Sequence, residues 1–92
     1  MMKKLKRMQQ DMMREQTRLE SKEYIGKASG VTVIVQGTKQ LLDVEILPDM
    51  AEEIEMLQDA ILLAVNDALK QIEDEFNEVM GQFTGGMGGL GF

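Results

Sequence analysis

The sequence predicts an α+β fold in the order α-β-β-β-α, a three-stranded antiparallel sheet carrying two long helices. Three observations predict it. Residues 3–20 hold no Gly or Pro and repeat apolar side chains at helical spacing. Residues 31–46 alternate β-branched and polar positions, and from about 52 to 83 a helical period returns around one aliphatic stripe. At 92 residues the chain has room for one small domain, expected over 1–80, with a Gly-rich tail at 81–92.

The first helix is expected at about 2–21. Leu5, Met12 and Leu19 recur every seven residues, with Met1 and Met8 one turn away and Glu15 interrupting that second series. About two and a half heptads are too few for an extended coiled coil, so the stripe reads as a packing or dimer face. Strands follow at about 22–28, 30–36 and 41–47. Val31, Val33 and Val35 alternate with Thr32, Ile34 and Gln36; Gly37-Thr38-Lys39-Gln40 makes a turn; Leu42, Val44 and Ile46 alternate with Asp43 and Glu45. Pro48 ends the sheet because it has no N–H to donate.

Asp49 with Glu52 three residues on has the spacing of a helix N-cap, and a start at Glu52 is equally compatible. The second helix is expected at about 52–83, with Ile54, Leu57, Ile61, Val65, Ala68, Leu69, Ile72, Phe76, Val79 and Phe83 on one face. Met56 and Leu63 fall behind that stripe, and Ala60 and Ala64 bridge towards the front. Scattered surface apolars and a second packing face against a partner subunit both account for them. Six of the last twelve residues are Gly, which makes self-ordering of the tail entropically costly.

Composition narrows the function. Four aromatic residues and nine methionines give a deformable core, and so small a chain with long helices is expected to oligomerise. The absence of cysteine excludes a disulfide framework and fits a reducing cytoplasm. The start Met1-Met2-Lys3-Lys4-Leu5 leads into Gln and Asp, unlike a signal peptide, and the longest apolar run, Ala60–Val65, is too short to span a membrane.

The charge distribution is uneven. Net charge is −6, yet residues 1–27 hold eight cations against four carboxylates, and residues 28–92 hold Lys39 and Lys70 against twelve. Advanced by about 100° per residue, Lys3, Arg7, Arg14 and Arg18 share the side of helix 1 opposite Leu5, Met8, Met12 and Leu19. That cationic stripe is about 22 Å long at ~1.5 Å per residue, and Arg can fork onto phosphate oxygens. Asp11, on the same side, can pair with Arg7 or Arg14. On the residues alone, a phosphate-binding stripe and an ordinary solvated face both stand. A membrane-surface helix would want Trp, Phe or bulky aliphatics where this one has Met and Gln, so no membrane partner is expected.

No catalytic residue, metal site, cofactor or small-molecule substrate is expected. The chain has no His or Cys, no base is spaced to activate its few hydroxyls, and Glu73-Asp74-Glu75 with Glu78 reads as a solvated acidic face. The glycines at 85–91 lack the strand before and helix after that a phosphate-cradling loop needs.

Gly26, then Gly30-Val31-Thr32-Val33-Ile34-Val35-Gln36-Gly37, then Val44-Glu45-Ile46-Leu47-Pro48, and finally Leu57 through Ala68 with its Asn66-Asp67-Ala68 ending, resembles the YbaB/EbfC family. These are small bacterial nucleoid-associated DNA-binding proteins. Leu47 departs from the Asp that commonly precedes the family's Pro. The resemblance implies a tweezer-like homodimer, in the cytoplasm and on the nucleoid, binding double-stranded DNA with low sequence preference through projecting helices. The implied DNA contacts are Lys3, Lys4, Lys6, Arg7, Arg14 and Arg18, with Lys70 as a secondary candidate. Dimer contacts are expected at Val33, Val44, Ile46, Leu57, Ile61 and Leu63. The alternative is an acidic dimeric adaptor or chaperone-like module that binds proteins through its Met-rich helix faces.

Overall fold

The computed structural model describes residues 2–81, with side chains from residue 4. Met1, Phe83 and the expected tail past Gly81 lie outside these residues. The order is α-β-β-β-α: α1 (Met2–Ser21), β1 (Glu23–Ala28), β2 (Val31–Gln36), β3 (Leu41–Ile46) and α2 (Ile54–Gly81), with a 3-10 turn at Pro48–Glu52 before α2. The three strands form one antiparallel sheet in the order β1-β2-β3.

The Asp49 cap does not start an α-helix. Pro48 stands at the head of a 3-10 turn instead, and among the described residues no side chain caps it. The first i+4 bond of α2 runs from the Leu57 N–H to the Glu53 carbonyl at 2.9 Å, so the long helix begins after Glu53. Proline pre-sets a tight turn by its fixed φ, which delays the wider helix.

The core lies between the sheet and α2. Val31, Val33 and Val35 are fully buried, and across from them stand Ala60, Ala64, Ala68 and Ile72. The fully buried line of α2 is therefore mostly alanine; Leu57, Ile61, Val65 and Leu69 are only half-buried beside it. The expected aliphatic stripe is thus displaced by part of a turn. Close approach explains the displacement: a side chain on Gly26 of β1 would meet the Ala64 carbonyl oxygen and would sit 2.9 Å from the Ala68 amide. Backbone-to-backbone packing leaves space for methyl groups only, so the large side chains turn to the flank.

That flank faces β3, which α2 leaves uncovered. Strand β3 is exposed along its whole length. Leu41, Val44 and Ile46 lie opposite Val35, Val33 and Val31, so they share the helix-facing side of the sheet. The result is an apolar trough between β3 and α2. The other sheet edge is treated differently: Asp67 of α2 accepts a hydrogen bond from the Lys27 N–H at 3.3 Å, and the Gln71 amide donates to the Ile25 carbonyl at 2.9 Å. Side chains from α2 therefore occupy the β1 edge, a guard against further strand pairing there.

Helix α1 returns alongside the C-terminal part of α2. Leu19 is 2% exposed, wedged against Gly37, where a side chain would strike the Leu19 carbonyl and stand 2.9 Å from Glu20 Cα. Residues 4–10 are all exposed, so the first half of α1 projects beyond the body. The molecule measures 63 × 28 × 12 Å, a thin body with an arm. Among the described residues, no helix is long and apolar enough to cross a membrane.

Candidate nucleic-acid interface

Helix α1 forms readily because residues 2–21 contain good helix formers and no breaker, and Leu19 anchors its end. At ~1.5 Å per residue it is about 30 Å long. Lys4, Lys6, Arg7, Arg14 and Arg18 are all exposed on it. Lys3 belongs to the same helix.

These cations divide into two groups. Near the root of the arm, Arg18 Nε is 2.7 Å from Glu15 Oε2, and its guanidinium lies 4.0 Å from Glu75 Oε1. Arg14 stands 3.7 Å from Asp11, the pairing the sequence offered. The hydrogen bond and charge of Glu15 push the Arg18 guanidinium above its ordinary value. Near the tip, Lys4, Lys6 and Arg7 have no carboxylate within ion-pair distance among the described residues. The tip offers its charge freely, whereas the root holds ion pairs a phosphate would have to displace.

Lys22, between α1 and β1, closes the root of the arm. Its ammonium donates to both oxygens of Glu75, at 2.8 and 2.7 Å, and stands 5.1 Å over the Tyr24 ring. Glu75 is half-buried rather than solvated. A signal for this existed: Glu75 is one heptad on from buried Ala68, within about 20° of it, and an acid on an apolar stripe requires a partner. Lys22 lies 53 positions away in the chain, so no local spacing names it. Burial pushes the Tyr24 hydroxyl above its ordinary value, reinforced by the charge of Glu75. That hydroxyl is enclosed without a hydrogen-bond partner among the described residues.

The other acids behave as surface groups. Asp74 pairs with Lys70 at 3.0 Å, one helical turn away, and that bond raises the Lys70 ammonium. Lys70 is thereby occupied on an otherwise acidic helix. Among the described residues, no group of three or more acidic side chains is gathered closely enough to hold a metal ion.

The six expected dimer residues do not form one face. Val44 and Ile46 are 37% and 40% exposed on the open side of β3, with half-buried Leu57 and Ile61 on α2. Val33 is fully enclosed within the subunit and has no surface to offer a partner. Leu63 is 62% exposed but lies about 200° round α2 from Ile61, away from the trough.

Comparison with known proteins agrees with this architecture. A nucleoid-associated protein of Alkaliphilus metalliredigens is 44% identical over 91 residues, covering 95% of this chain and 80% of that protein. One from Enterococcus faecalis is 41% identical over 94 residues, with 98% and 90% covered. One from Bacillus cytotoxicus is 50% identical over 82 residues, with 82% and 75% covered. In fold, the chain is similar to the crystal structure of an uncharacterised Helicobacter pylori protein, with a TM-score of 0.74 at 21% identity over 85% of this chain and 86% of that one. The model of the YbaB/EbfC DNA-binding family matches residues 1–87, and the chain belongs to that family.

Proposed function

We propose that this protein is a nucleoid-associated homodimer that binds double-stranded DNA through phosphate contacts from its α1 arms. Sequence preference is low, and binding shapes nucleoid organisation and gene expression. The observation that carries the reading is the arm tip, where Lys4, Lys6 and Arg7 stand exposed and unneutralised among the described residues. Membership of a DNA-binding family identifies the polyanion, and the nucleoid-associated relatives suggest where it is met. Flexible Lys and Arg side chains without flanking Asn or Gln readout position a duplex rather than read it. The acidic remainder of the chain repels DNA everywhere but the arms.

Dimerisation is supported by the trough between β3 and α2. Leu41, Val44 and Ile46 are exposed together there, and a second copy of the same surface would cover them. Two subunits joined in this way would present two arms to one duplex.

The test is a DNA titration across salt concentrations with the protein mass measured alongside. About five phosphate contacts per subunit give a slope of log K against log salt between roughly −4 and −9. A flat slope would remove the phosphate mechanism, and a monomeric mass the dimer. Failure to bind DNA at low salt, with capture of a defined protein, would favour the adaptor reading.

A further inference from the structure

We infer that Glu75 is an electrostatic brake on the DNA-binding arm, holding Lys22 and Arg18 in place of a phosphate. The inference rests on the DNA-binding reading above and concerns how that site is regulated. The carboxylate reaches the arm from α2, so it is held by the body of the protein and not by α1 itself. Both of its oxygens accept hydrogen bonds from Lys22, and one lies 4.0 Å from the Arg18 guanidinium. Its side chain is 26% accessible, against 63% for the surface acid Asp74, so its charge is screened less by water. The site on α2 is well defined: the residue one heptad earlier, Ala68, is fully buried, and the chain continues in the same helix.

The consequence is a two-stage arm. A phosphate backbone meets the free cations at the tip first. To recruit Lys22 it must draw it from Glu75, and to recruit Arg18 it must draw it from Glu15 as well, carboxylates that repel phosphate and compete for the same donors. The brake lowers affinity for loosely apposed DNA and keeps the root of the arm in reserve for a duplex that lies along its whole length.

Glu75→Gln tests this, with Glu78→Gln as the matched control. Glu78 is an exposed acid on the same helix that forms no ion pair among the described residues, and its replacement changes net charge by the same amount. Binding of a short random-sequence duplex is followed by anisotropy across salt. Glu75→Gln is expected to bind about fivefold tighter at low salt, the effect of one charge within ~4 Å in water, and to steepen the slope by about one, for the freed Lys22. Glu78→Gln should stay near wild type. Equal effects of the two variants, or no effect of Glu75→Gln, would overturn the brake while leaving DNA binding intact. A flat wild-type slope would instead overturn the phosphate-contact reading, and the brake with it. Should Glu75→Gln unfold, Glu75→Ala removes the same carboxylate without leaving an amide to satisfy, and the same outcomes decide: tighter binding with a steeper slope supports the brake, and binding like that of Glu78→Gln overturns it.

Discussion

Gly26 of β1 lies so close beneath Ala64 of α2 that a methyl group on the glycine would collide with the Ala64 carbonyl oxygen. This contact sets the height of the helix above the sheet and turns Ile61, Val65 and Leu69 towards β3. Gly26→Ala is therefore expected to destabilise the protein by about 3 kcal/mol, since neither backbone can retreat without opening the core. Urea unfolding followed by circular dichroism measures it. An unchanged midpoint would mean that α2 lifts off the sheet freely.

The two groups of cations on α1 are expected to differ in their effect on DNA binding. Replacing Lys4, Lys6 and Arg7 together by Ala should flatten the salt slope by about three per subunit, from ~0.9 per phosphate contact. Arg14→Glu with Arg18→Glu should weaken binding to all sequences alike. Neutralising Arg14 and Arg18 to Ala should cost less than the tip variant, because Asp11, Glu15 and Glu75 already occupy them. Anisotropy titrations on AT-rich and GC-rich duplexes check both points, and a larger loss from the root pair would reverse the order.

Ile46 is the natural probe of the proposed dimer. It is 40% exposed on the open face of β3, so a carboxylate there finds water in a monomer but not in a covered trough. Ile46→Glu is expected to shift the mass in sedimentation from dimer to monomer while leaving the helical signal nearly unchanged. Persistence of the dimer would place the interface elsewhere.

The enclosed Tyr24 hydroxyl gives a pH signature. Its folded value lies above the ordinary 10.0, because burial and then Glu75 disfavour the phenolate. A group raised on folding contributes stability that is complete below its unfolded value and is lost as pH rises through the folded one. Tyr24→Phe should thus flatten the decline in stability above about pH 10. At neutral pH it should also stabilise by about 1 kcal/mol, because an unpartnered buried hydroxyl is removed. Thermal unfolding of both proteins at neutral pH and above pH ~10 reads both effects, and parallel curves would show that the hydroxyl is hydrated.

The elements were legible in the sequence because each is a local matter of period and punctuation. Leu5, Met12 and Leu19 at heptad spacing in a stretch free of Gly and Pro marked α1, alternating valines marked β2, and Pro48 marked the end of the sheet. The segregation of cations onto one side of α1 was equally local, being fixed by 100° steps along one helix. The start of α2 was displaced because a proline turn competed with an acidic cap of suitable spacing.

Contacts between distant segments were decided by the tertiary structure alone. Whether alanines or larger aliphatics face the sheet depends on how near two backbones come, and Gly26 and Ala64 are far apart in the chain. Asp11 and Glu15 pair with Arg14 and Arg18 within α1 itself, but the partner of Lys22 is delivered by another helix, Glu75 across 53 positions. Charge placement and i,i+3 pairing on one helix are properties of sequence, but neutralisation by a distant segment is a property of packing, because it needs the two side chains brought within a few ångströms. The arm and the Asp11–Arg14 pairing were readable from residues 1–27; the hold of Glu75 on the root of the arm was not.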